Sequence, residues 1–153
     1  MALKVSIDLS RKFIVSADSD HVFALLSDVE ASAAHFPKVH AITKIGDNRF
    51  KWEMEKVNLG THSAQTAYAC EYIANSTDKT VEWFPIKGEG NSEVSGKWTI
   101  KELSAGTELS FVTKAVLTLP LPGLLKLAIS PMVKMEFAGM VDTYITNIKT
   151  VLV

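Results

Sequence analysis

The sequence predicts an α+β fold: a curved antiparallel sheet of about seven strands around a long C-terminal helix, with two short helices after the first strand. Three observations predict it. Residues 39–119 alternate apolar and polar side chains in consecutive runs separated by turn signals. Two helix-period stretches sit between the first such run and the rest. The last third carries one continuous amphipathic stripe at spacings of three and four.

Each element has its own warrant. In the first sixteen residues, Leu3, Val5, Ile7 and Leu9 fall on one side of a strand. The period then changes at SADSDHVFALLSDVE, where Asp18 or Ser19 is a helix N-cap and Val22, Phe23, Leu25, Leu26 and Val29 follow at helical spacing. EASAAHF predicts a second short helix, ended by Pro37. Gly46-Asp47-Asn48 turns the chain into a strand with Phe50, Trp52 and Met54 on one face. Gly60 precedes a long run through THSAQTAYACEYI, and NSTDK makes the next turn. TVEWFPIKGEG is a kinked or edge strand because of its proline and glycines. Trp98 and Ile100 share a face of the next strand, and SAG turns the chain at 104–106. The last strand carries Leu109, Phe111, Ala115, Leu117 and Leu119 on one face. Ser130-Pro131 has the form of an N-cap followed by proline at the first helical position. From there Val133, Phe137, Met140, Val141, Tyr144, Ile148 and Val151 form the stripe of a helix of about 20 residues. That stripe must bury against the one dry face of the sheet. No internal repeat or linker interrupts the chain, so residues 1–153 read as one domain.

Composition excludes some functions. With 16 basic and 17 acidic residues the formal charge is −1, which gives no electrostatic footprint for nucleic acid. A single cysteine, Cys70, excludes an intrachain disulfide and fits a reducing compartment. MALKVSIDLSRKF contains no continuous apolar run, so no targeting signal is visible and a cytoplasmic location is expected. The segment LTLPLPGLLKLAISP (117–131) is strongly apolar. It is nevertheless shorter than the roughly 20 residues that a membrane span needs, and prolines interrupt it.

The order of elements resembles the helix-grip fold of the START and birch-pollen-allergen superfamily (SRPBCC). DHVFALLSDVEASAAHFPKVHAITKIG is similar to the opening of its polyketide cyclase/dehydrase and coenzyme-Q-binding families: an apolar helix ending in Leu-x-Asp at Leu26 and Asp28, then Phe36-Pro37 and a strand. The Gly-x-Trp strand at Gly96 and Trp98, the Gly-Thr turn at Gly106 and Thr107, and the final helix SPMVKMEFAGMVDTYITNIK continue the likeness. The chain also resembles a neighbouring branch, the G-subunit group of carbon monoxide dehydrogenase.

The resemblance implies a pocket between helix and sheet for a hydrophobic small molecule, a lipid or an isoprenoid quinone, held by burial of apolar surface without a cofactor or metal. The residues expected to line it are Trp52, Met54, Phe111, Phe137, Met140 and Tyr144, while the face presented by Trp98 stays open. Leu121, Leu124 and Leu125, in the connection between the last strand and the last helix, would form a flap at the cavity entrance. There they would face the cavity or a ligand tail, touch a membrane surface transiently, or cap the end of the core. A cyclase or dehydratase is an alternative, with His35, His40, His62, Glu136, Tyr68 and Tyr144 as its acid–base candidates. The family's cyclases place arginine in the cavity, whereas Arg11 and Arg49 here fall on polar faces. His35 and His40 lack the spacing of a helical zinc pair. A protein-interaction module without a ligand is the third class, its partner unspecified.

Overall fold

The structure, a computed structural model, describes residues 3–153, so the first two residues of the opening stretch lie outside it. The chain runs β1 (Leu3–Val15), α1 (Ser19–Ser27), α2 (Val29–Ala33), β2 (Val39–Gly46), β3 (Arg49–Met54), β4 (Val57–Leu59), β5 (His62–Ala64), β6 (Ala67–Asn75), β7 (Thr80–Pro85), β8 (Ser92–Leu103), β9 (Gly106–Leu119), a 3₁₀ turn (Gly123–Leu125) and α3 (Lys126–Val151). Seven strands form one curved antiparallel sheet in the order β1-β9-β8-β7-β6-β3-β2. Because β1 and β2 are opposite edges, the connection between them must cross the width of the sheet. Helices α1 and α2 make that crossing. Asp18 caps α1 by accepting from the His21 amide at 2.8 Å, and Asp28 caps α2 by accepting from the Ala31 amide at 3.2 Å.

The core lies between the concave face of the sheet and α3. Leu109, Phe111, Ala115, Leu117 and Leu119 of β9 are buried, as are Phe50, Trp52 and Met54 of β3. The end of α3 is tied to the β1–α1 connection, since the Ala17 amide donates to the Leu152 carbonyl at 3.0 Å. Thr107 closes the same corner by donating to the Ala17 carbonyl at 2.7 Å.

Four expectations need correction. The run from Thr61 through Ile73 is two strands: β5 leaves the sheet and pairs only with β4 as a separate hairpin. Gly60, at φ +71°, reverses the chain between them. Asn91 bridges the break, accepting from the Ala67 amide and donating to the Gln65 carbonyl. Next, α3 begins at Lys126, so Ser130 caps nothing and Pro131 lies inside the helix. Burial explains this, because Ile129 stands one turn before Val133 and extends the apolar stripe, with both side chains buried. The stripe also ends earlier than expected, since Val151 is exposed and Ile145 is buried in its stead. Finally, Arg11 shares the inward face of β1 and stands opposite Phe111. At the sheet edge its guanidinium turns outward to Asp142 of α3, with Nε 2.7 Å from Oδ1.

Candidate functional site

Sheet and helix do not meet everywhere: among the described residues, cavities lie between them, two of which stand out. The larger has a volume of about 60 Å³ and lies under α1, α2 and the middle of α3. From the sheet it is lined by Trp52, Tyr68, Tyr72, Val81, Trp83, Val94, Trp98, Phe111 and Thr113; the helices and the α2–β2 loop add Leu26, Val29, Ser32, Ala33, Phe36, Phe137, Val141 and Tyr144. All three tryptophans of the chain are in this wall. None of the lining side chains is charged.

The aromatic residues form one connected layer. Trp52 stacks on Tyr68 with centroids 5.8 Å apart and planes 13° apart. Phe111 meets Trp98 at 4.8 Å and Trp83 at 5.7 Å. Phe36, from the loop after α2, closes the layer against Trp52 and Tyr144. Gly96 makes room for it. A Cβ there would come within 2.2 Å of the Trp83 ring, so the indole lies directly over bare backbone.

The polar side-chain groups of these lining residues are hydroxyls and indole N–H groups. Ser32 of α2 and Tyr144 of α3 share a buried hydrogen bond of 2.5 Å. The Trp52 indole donates to the Tyr72 hydroxyl at 3.1 Å. Burial pushes the Tyr68 and Tyr72 phenols well above their ordinary range, reinforced in both by neighbouring Cys70 and Tyr144. Burial raises Tyr144 too, against the opposing pull of Ser32. The lining is therefore neutral at physiological pH and chemically suited to hydrogen-bond an uncharged oxygen.

The second cavity, about 30 Å³, lies one step along the same groove toward the 3₁₀ turn. Met54, Val57, Leu59, Leu117, Leu119, Val133, Phe137 and Met140 supply most of its wall, with Glu136 at its rim. Glu136 is paired with Lys38 of the α2–β2 loop. A further tie joins the same loop to α3, as the Asn147 amide donates to the His35 carbonyl at 2.9 Å.

The expected lining residues divide between the two spaces. Trp52, Phe111 and Tyr144 face the larger cavity, Met54 and Met140 the smaller, and Phe137 both. Trp98 faces the larger one. Leu121 is buried, Leu125 half-buried and Leu124 exposed, and none of the three lines either cavity. His35, His40 and His62 line neither, nor do Arg11 and Arg49. Ser32 has no sequence signal of its own, because α2 reads only as an Ala-rich turn of helix, and Phe36 stands out only as half of the Phe36-Pro37 pair, not as a wall residue. Their place follows from α2 crossing the mouth of the groove.

Known proteins share this architecture. A START superfamily protein from Mycobacterium smegmatis superposes with a TM-score of 0.63 at 18% identity, over 95% of this chain and 96% of that one. A conserved protein from Geobacillus kaustophilus gives 0.68 at 10% identity, over 98% and 95%. An aromatase/cyclase from Streptomyces sp. R1128 gives 0.58 at 15% identity, over 96% and 91%. At such identities the likeness shows the fold alone. Among curated proteins, none is significantly similar to this chain in sequence. The family is shown by a different match: the family model for the G subunit of carbon monoxide dehydrogenase (CoxG) fits residues 12–153, and the chain belongs to that family, within the START-like fold.

Proposed function

We propose that this protein binds an uncharged hydrophobic small molecule, a lipid or an isoprenoid quinone, between its sheet and α3, and shields or delivers it. The observation that carries this reading is the aromatic cavity without a charged wall residue. A water needs about 10–15 Å³ by the same measure, so a space of about 60 Å³ admits a ring or a few waters, not an extended lipid. Uptake of a longer molecule therefore involves movement of α2 and its loop away from α3, where the ties are Ser32–Tyr144, His35–Asn147 and Lys38–Glu136.

The 119–129 segment is the entrance in this reading, and a membrane surface the place of exchange. Leu127, Pro131 and Met135 stand at i, i+4 and i+8 on the outer side of α3, opposite its buried stripe. Leu124, Leu127 and Met135 are 95%, 93% and 76% exposed, with Lys126 and Lys134 beside them. Apolar side chains among lysines suit the interface of an anionic bilayer. Among the described residues, no helix is long and apolar enough to cross a membrane. A cyclase reading has less support: Tyr68, Tyr144 and Glu136 of its acid–base candidates line the cavities, but the arginines and histidines lie outside both.

Native mass spectrometry of the purified protein, with organic extraction of whatever co-purifies, tests the proposal. A stoichiometric neutral lipid or quinone is expected. Protein that stays empty after incubation with a mixed lipid and quinone extract overturns it.

A further inference from the structure

The two cavities are chemically different halves of one groove. Along β3, Trp52 lines the first and Met54 the second; along β9, Phe111 and Thr113 line the first, Leu117 and Leu119 the second. Along α3 the order is the same, with Val141 and Tyr144 on one side and Val133 on the other. Three independent elements therefore place the spaces end to end. The first is walled mainly by aromatic rings and hydroxyls, with aliphatic side chains such as Val81 and Val141 between them. The second is walled mainly by aliphatic and thioether side chains, with Glu55, Thr66 and Glu136 among them and Phe137 its sole ring. Between them on β9 stands Ala115, fully buried and too small to divide the groove. Among the described residues, Phe137 alone lines both spaces.

Resting on the cavity reading above, we propose that Phe137 is a swinging partition that selects a two-part ligand: a ring with a neutral oxygen in the first space and an apolar chain in the second. In the closed position its ring fills the groove where the chain would pass. Rotation about the side-chain bonds of Phe137 joins the two spaces. From Val133 to Tyr144 the helix advances eleven residues, about 16 Å, enough for a single ring followed by a medium-length chain. The ring end meets the Ser32–Tyr144 pair. The chain end points toward Leu119 and the entrance segment that follows it. Flexible Met54 and Met140 flank the path and can repack around a chain.

Isothermal titration with 4-ethylphenol and 4-nonylphenol tests this, using the full chain and its Phe137→Leu and Phe137→Trp variants, each checked for folding by circular dichroism. Each buried methylene is worth roughly fourfold in affinity, so the wild type is expected to favour 4-nonylphenol by at least about tenfold even if most of the chain is imperfectly packed. Phe137→Leu, which shrinks the partition, is expected to widen that preference. Phe137→Trp, which enlarges the partition, is expected to abolish it. If Phe137→Trp fails to fold, Phe137→Leu decides by itself. A chain-length preference that is absent in the wild type, or unchanged by the folded variants, overturns the partition while leaving the cavity reading intact. Failure of both phenols to bind the wild type overturns both.

Discussion

Single atoms decide much of this site. Gly96 is the sharpest case, because an added Cβ would meet the Trp83 ring at 2.2 Å and the Val112 carbonyl at 2.6 Å. Gly96→Ala is expected to destabilise the protein by about 3 kcal/mol, the upper end of the usual overpacking range, as read from urea unfolding. A shifted tryptophan emission should accompany it, since Trp83 must move. Buried acids set a second effect. Burial pushes the Cys70 thiol up to about 12 from 9.0, and holds Tyr68 and Tyr72 well above 10.0. The folded-state values are raised, so the unfolded chain ionises first and binds fewer protons. Stability should therefore be level up to about pH 9 and fall as pH rises from there. Melting temperatures across pH 7–11 check this, and Cys70→Ala should delay the onset toward pH 10; a level profile to pH 11 would contradict the burial of these groups.

Among the elements, α3 shows how tertiary burial overrides local signals. Ser130-Pro131 reads as a helix start, yet α3 begins at Lys126 because Ile129 gains a place in the core. Pro131 has no N–H for the Leu127 carbonyl, a loss tolerated because the position is exposed to water. The Ser130 hydroxyl, in contrast, is a buried polar atom without a partner among the described residues. Ser130→Ala removes it and improves helix propensity, so a gain of about 1–2 kcal/mol in unfolding free energy is expected. No gain would mean that this hydroxyl has a partner, such as an ordered water. The element most poorly legible beforehand was the β4–β5 hairpin. Its alternation continues smoothly into β6, and only the break at Gln65 and Thr66, which Asn91 bridges, separates it from the main sheet.

For the molecule as a whole, the question is where its uncovered apolar surface lies. The stripe of Leu124, Leu127 and Met135 adjoins the end of the groove that the second cavity occupies. Leu124→Glu/Leu127→Glu is expected to lower co-sedimentation with phosphatidylcholine–phosphatidylglycerol vesicles several-fold. Its melting temperature should hardly change, because both side chains are already in solvent. Raised salt should weaken wild-type binding if Lys126 and Lys134 contribute. Wild-type protein that ignores such vesicles would remove the membrane from the proposed exchange step.

The architecture was legible in the order of residues alone. Period-two alternation on β3 and β9, the cap at Asp18 and the stripe from Val133 to Ile148 leave few ways to bury one sheet face and one helix face. The same patterns marked which side chains face inward, because periodicity assigns faces. Periodicity does not report whether facing surfaces touch. That a gap remains, that Phe137 lines both of its parts, and that Ser32 and Phe36 reach the wall of the first depend on the curvature of the sheet and the path of α2 over it. The inward placement of Arg11 was hidden for a related reason. Its position in β1 is apolar by count, but at a sheet edge a long side chain turns out to solvent and to Asp142, so only the packed structure distinguishes core from rim.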